Sequence, residues 1–138
     1  MFKGLVLAAF ALGLPVVADA APVVPPAYAS AYAALKGDVA RGKVVFTQCK
    51  TCHVVTPGVN RIGPSLYGVV GRPSGSIAGY AYSAVNKNSH IVWNEPVLFT
   101  YLEAPQKFLP GTKMSYAGLK DAQKRADVIA YLKSKPTA

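Results

Sequence analysis

The run CKTCHVV, residues 49–55, holds both cysteines of the chain, Cys49 and Cys52, and places His53 directly after the second. Two thiols separated by two residues can reach the two vinyl groups on one side of a porphyrin, and the next imidazole then lies beneath the iron as its proximal ligand. C-x-x-C-H is the form used for covalent attachment of c-type haem, here one per chain. Three other chemistries compete for the same residues. A thioredoxin-like dithiol also uses C-x-x-C, but beside a βαβ pattern that this sequence does not show. A structural zinc site would enlist Cys49, Cys52, His53 and His90, yet adjacent Cys52 and His53 suit one tetrahedron badly. A plain disulfide is the third.

A six-coordinate iron needs a second axial ligand. Of the two methionines, Met1 lies in a leader expected to be cleaved, which leaves Met114. It sits in KFLPGTKMSYAGL, residues 107–119, where Pro110 and Gly111 permit a sharp turn. A thioether favours ferrous iron and raises the reduction potential, whereas His90, the one other imidazole, would lower it.

The elements that must position these residues are few. Asp38 can cap a helix that runs through VARGKVVFTQ to Cys49, with Val39, Gly42 and Phe46 on one face. Gly42 inside that helix costs about 1 kcal/mol against alanine, which points to another helix approaching closely there. Asn94 caps a short helix with Pro96 in its first turn and Leu98, Tyr101 and Leu102 on its apolar side; Pro105 stops it. A last helix starts near Asp121, carries Ala122, Ala126, Ile129 and Leu132 down one side, and ends at Lys133 and Lys135 before Pro136. Between Val54 and Trp93, glycines and prolines alternate and no period persists. So long an irregular stretch with ample apolar residues should wrap something, and a large apolar macrocycle can serve as its core.

The first twenty residues, MFKGLVLAAFALGLPVVADA, read as a secretory signal cleaved after Ala20: a basic start, an apolar middle, and small residues before the cut. The alternative is an uncleaved membrane anchor, although Pro15 interrupts an apolar run shorter than the ~20 residues a span needs. Residues 21–36 follow as an uncharged, Ala- and Pro-rich arm or tether up to Leu35, and 37–138 form one domain. The net charge of +9 suggests an anionic partner, but the basic residues are scattered singly, which argues against a nucleic-acid tail.

The segments GDVARGKVVFTQCKTCHVV, GPSLYGVVGRPSG, YAYSAVNKN and IVWNEPVLFTYLEAPQKFLPGTKMSYAGLKDAQKRADVIAYLK, in that order, resemble mitochondrial-type cytochrome c and its bacterial periplasmic relatives, the class I c-type cytochromes. The resemblance covers about residues 37–133. It implies an all-α fold of three main helices and long loops around one haem, with the first and last helices crossing near Gly42 and Tyr131. It implies that Cys49 and Cys52 bind haem covalently, that His53 and Met114 are axial ligands, and that the Pro64 carbonyl orients His53. By the same resemblance Arg72, Tyr82 and Trp93 hold the propionates, Asn86 and Tyr101 belong to a polar cluster beside the methionine, and Thr112 contacts the propionate side. Lys50, Arg61, Lys107, Lys113 and Lys120 would gather at the exposed haem edge. The sequence departs from the family at Phe46, three residues before Cys49 instead of four, in a loop from His53 to Gly63 one residue shorter, at Tyr116 in place of a phenylalanine, and at Asp121, where lysine is frequent.

The function so implied is a soluble periplasmic electron carrier, not an enzyme, and a monomer. Its donor would be of the quinol:cytochrome c oxidoreductase kind, and its acceptor a terminal oxidase, a reaction centre or another periplasmic redox enzyme with an acidic docking surface. A five-coordinate haem enzyme or gas sensor, or a carrier tethered through an uncleaved signal, are the alternatives.

Overall fold

The computed structural model describes residues 22–135, so the expected signal over 1–20 lies outside the described residues. The described helices are α1 Pro26–Ala33, α2 Val39–Val45, α3 Ala84–Asn88, α4 Glu95–Glu103, α5 Pro105–Phe108 and α6 Ala122–Lys133. Among the described residues there is no strand, only an isolated antiparallel bridge between Pro73 and Val92. No helix there is long and apolar enough to cross a membrane.

The three expected helices are α2, α4 and α6, and each starts at the residue whose side chain can satisfy an orphan N–H. Asp38 accepts from the Arg41 N–H at 2.8 Å, Asn94 from that of Val97 at 3.0 Å, and Asp121 from that of Lys124 at 3.0 Å. Instead of running unbroken to Cys49, α2 stops at Val45, and Phe46–Gln48 tighten into a 3-10 turn. The tightening compensates for the short spacing between Phe46 and Cys49. Three 3-10 steps rise about 6 Å and complete one turn, nearly what four α-helical steps achieve. Phe46 can therefore stay buried against Tyr131, with ring centroids 5.2 Å apart, while the cysteine motif still starts one turn further on.

The crossing of α2 and α6 is as close as Gly42 suggested. A Cβ there would enter the Asp127 carbonyl and the Tyr131 side chain. Asp127, 2% exposed, accepts two bonds from the Arg41 guanidinium at 2.8 and 2.9 Å and one from the Asp38 N–H at 2.9 Å. The Arg41 bonds hold its carboxyl down to about 2, against the opposing effect of burial.

Residues 26–33 of the segment expected as an arm or tether coil into α1, started by Pro26 at the first helical position. Tyr28 and Tyr32, one helical turn apart, share a face, and both rings rest on Phe99 of α4 at 6.5 and 5.4 Å. The Tyr32 hydroxyl bonds Glu95, which also pairs with Lys133 of α6 at 2.5 Å. Two aromatic anchors on one face dock this stretch on the body. The region between Val54 and Trp93 is irregular, as expected, apart from α3, capped by Ser83.

Candidate haem site

Beyond the 3-10 turn the cysteine motif continues in helical turns. The Lys50 N–H bonds the Phe46 carbonyl at 3.2 Å and the His53 N–H bonds the Cys49 carbonyl at 2.9 Å. Both cysteines are free thiols and half-buried, so the disulfide reading finds no support in their state. Burial first, and then the neighbouring Cys52, push the Cys49 thiol up to about 11. Among the described residues no three His, Cys, Asp or Glu side chains converge for a metal ion, and His90 is exposed on a left-handed backbone turn with φ 51°. The zinc arrangement therefore lacks its donors.

The His53 Nδ1 lies 2.8 Å from the Pro64 carbonyl oxygen. A carbonyl only accepts, so Nδ1 carries the proton and Nε2 keeps its lone pair free. Burial pushes the His53 pKa below its ordinary value, with the Arg72 charge adding to the effect and the Pro64 carbonyl opposing it. Gly63 packs flat against the ring, where a Cβ would overlap it, and its N–H bonds the Cys52 carbonyl at 2.8 Å. Glycine is required at this position for the imidazole to be clasped.

On the methionine side, Tyr101 of α4 donates its hydroxyl to the Met114 Sδ at 3.1 Å. Tyr101 is itself wedged by Trp93 at 4.8 Å and Phe108 at 5.8 Å. Thr112 donates to the Asn86 side-chain oxygen at 3.1 Å and accepts from the Met114 N–H at 3.3 Å. Ser83 also donates to the Asn86 oxygen, at 2.8 Å. Asn86, Tyr101 and Thr112 thus meet around Met114.

Arg72 donates to the Tyr67 and Ser65 carbonyls, both at 2.9 Å, and burial lowers its pKa. Its backbone is tied to buried Trp93, whose N–H bonds the Arg72 carbonyl at 3.0 Å. Lys50, Arg61, Lys107, Lys113 and Lys120 are all exposed. Two of them are also tethered: the Lys113 ammonium donates to the Ala81 carbonyl at 2.8 Å and that of Lys120 to the Glu103 carbonyl at 2.6 Å.

Sequence reasoning missed several side chains that hold the methionine loop. Gln106 of α5 donates to the Thr112 carbonyl at 3.1 Å and to that of Met114 at 2.5 Å. Arg125 of α6 donates to the Leu119 and Lys120 carbonyls at 2.8 and 2.9 Å. Tyr116, noted only as a departure, donates to Gln48 at 2.7 Å and so bridges this loop to the 3-10 turn before Cys49. The one available signal was Arg125, a charge within the helix that carries Ala122, Ala126, Ile129 and Leu132.

The donor set fits a covalent haem: two free thiols, an imidazole with one nitrogen occupied and the other free, and a thioether aimed by a buried hydroxyl. The family model described as cytochrome c matches residues 39–136. The chain belongs to the cytochrome c family. It is 58% identical over 99 residues to cytochrome c2 of Rhodopila globiformis, covering 71% of this chain and 93% of that one. It is 51% identical over 106 residues to cytochrome c2 of Blastochloris viridis, covering 76% and 84%. The solved structure of cytochrome cH from Methylobacterium extorquens superposes with a TM-score of 0.68 at 44% identity, over 72% of this chain and all of that one. The all-α class I fold follows, as do one covalent haem c per chain and a role in electron transfer rather than catalysis.

Proposed function

We propose that this protein is a soluble, exported carrier that passes single electrons between redox proteins of the periplasm, with Cys49 and Cys52 as the thioether attachments and His53 and Met114 as the axial ligands. The observation that carries the ligation is the Tyr101 hydroxyl bonded to the Met114 sulfur, with Thr112 on the same residue's N–H. Sulfur is a weak acceptor, and a buried hydroxyl directed at it fixes the orientation of its remaining lone pair. When bound, haem c supplies a one-electron Fe(III)/Fe(II) couple.

Pro64 and Gly63 hold His53 in one tautomer and one orientation. The Ser83–Asn86–Thr112 cluster and Tyr101 do the same for Met114. Two firmly held ligands leave no open position for oxygen or substrate, which is why transfer and not catalysis is expected. Arg72, Tyr82 and Trp93 form the group that would face the propionates, a half-buried positive charge beside two aromatic donors. Lys50, Arg61, Lys107, Lys113 and Lys120 supply a basic rim for an acidic partner, with a quinol:cytochrome c oxidoreductase as donor and a terminal oxidase, reaction centre or similar enzyme as acceptor. Export is supported by the signal pattern ending at Ala20 and by likeness to bacterial cytochromes c2.

Two measurements test this. The purified protein should have the mass of residues 21–138 plus one haem, retained through acid extraction. Met114→Leu should keep the haem but lower the potential and admit carbon monoxide to the ferrous form, which the unaltered protein refuses. Carbon monoxide binding to the unaltered protein would instead support a five-coordinate sensor.

A further inference from the structure

Helix α1 precedes residue 39, where the match to the family begins, so the family's shared chemistry says nothing of it. Its contacts converge on one place. Tyr28 and Tyr32 cover one side of Phe99, which is 0% exposed, and the Arg125 guanidinium lies 4.3 Å above the same ring. Arg125 is itself 4% exposed, and the bonds from its Nη1 hold the Leu119 and Lys120 carbonyls on the strand of chain that follows Met114. That strand is also hung from the end of α4, through the Leu119 N–H on the Leu102 carbonyl at 2.7 Å and the Lys120 ammonium on the Glu103 carbonyl. Glu103, 4.0 Å from Arg125, is the only carboxylate paired with it among the described residues. An open groove of about 190 Å³, lined by Tyr28, Ala31, Phe99, Glu103 and Arg125, marks where α1 lies along this seam.

The physical consequence follows from screening. A guanidinium kept from water bonds carbonyls and stacks on an aromatic ring more strongly than a hydrated one. Without the two tyrosines, water would reach the Phe99–Arg125 stack and compete for both contacts. We propose that α1 is a strap, with Tyr28 and Tyr32 as positioning residues, which keeps the Met114 loop closed by shielding the Phe99–Arg125 stack that holds the Leu119 and Lys120 carbonyls. This builds on Met114 as the iron ligand.

The test compares the holoprotein with Tyr28→Ala/Tyr32→Ala and with Arg41→Ala, which weakens the remote crossing of α2 and α6. Hydrogen exchange of the Leu119 amide reads loop opening directly, and the rate at which imidazole binds the ferric protein reads release of Met114. The tyrosine variant should speed both by roughly tenfold, the expected result of losing a local packing contact, while Arg41→Ala leaves Leu119 exchange within about twofold of the unaltered protein. Tyr32→Phe keeps the ring on Phe99 and should behave like the unaltered protein. Should the double variant fail to mature, Tyr32→Ala carries the same comparison. Unchanged Leu119 exchange in the tyrosine variant, or equal acceleration in Arg41→Ala, overturns the strap. If Met114 were no ligand, imidazole would bind the unaltered protein rapidly whatever the state of α1, whereas Leu119 exchange would still report on the strap.

Discussion

Gly42→Ala sets two effects of opposite sign against each other. Helix propensity favours alanine by about 1 kcal/mol in a helix interior. Against this, the new Cβ would enter the Asp127 carbonyl and meet the Tyr131 Cβ, and neither is the flexible end of a side chain that can swing away. Relief requires moving α2 off α6, which stretches the Arg41 and Asp38 bonds to Asp127 and loosens Phe46 from Tyr131. Overpacking of this kind costs about 1–3 kcal/mol, and a weakened buried hydrogen bond adds roughly 1 kcal/mol. The sum exceeds the propensity gain, so the variant should be less stable by about 1–3 kcal/mol. Guanidinium unfolding of the holoprotein, followed by far-ultraviolet circular dichroism, measures it, with the midpoint falling and the slope unchanged. A variant as stable as the parent, or more so, would show that the helices separate at no cost and that glycine is not required at the crossing.

The Asp127 carboxyl is held below its unfolded value, so its contribution to stability is fully present above about pH 4 and is lost as pH falls towards about 2. Asp127→Asn should be less stable than the parent at neutral pH, and the gap should close across that window; a gap independent of pH would refute the ion pair's role. Tyr101→Phe keeps the ring against Trp93 but removes the donor to the Met114 sulfur, which should strengthen the sulfur as an electron donor and favour ferric iron. If a part of a hydrogen bond's ~1 kcal/mol distinguishes the two oxidation states, the potential falls by about 20–40 mV, and voltammetry showing no change would remove the bond from the account. For docking, Lys50 and Arg61 are cleaner probes than Lys113 or Lys120, whose ammonium groups also tether loops. Lys50→Glu should slow reaction with an acidic partner severalfold more than Lys36→Glu at low salt, and the difference should shrink as the Debye length shortens to about 10 Å at 0.1 M.

The covalent haem was legible because its attachment demands a local spacing, and Cys49 and Cys52 meet it within four consecutive residues. The caps of α2, α4 and α6 were legible for the same reason, since Asp38, Asn94 and Asp121 act on amides three residues away. The close approach at Gly42 could be inferred from its cost. What escaped depends on contacts far apart in the chain. Nothing near Gln106 marks it as a holder of the Met114 loop, and nothing near Tyr28 says that Phe99, some seventy residues later, will be its seat. α3 is too short to show a helical period. The 3-10 turn was hidden in a spacing anomaly, Phe46 lying one residue closer to Cys49 than in the mitochondrial pattern, whose structural remedy only the fold displays.

These distant contacts share a physical purpose. His53 follows its covalent anchor directly, so its place is nearly dictated by the chain. Met114 lies more than sixty residues further on, in a loop with no covalent tie and with glycine at positions 111 and 118. A thioether is a weak ligand, so under the ligation proposed above Met114 would remain on the iron in both oxidation states only if the loop had nowhere else to go. The structure meets that need by distributing tethers over separate elements: Tyr101 and the Leu102 and Glu103 carbonyls on α4, Gln106 on α5, Arg125 on α6, Gln48 beside the cysteine motif, and Ala81 before α3. Because the tethers come from separate elements, single variants should change the frequency of opening without changing the closed geometry. Rapid electron exchange depends on that same constancy, since a ligand set that does not move between Fe(II) and Fe(III) leaves little to reorganise at the moment of transfer.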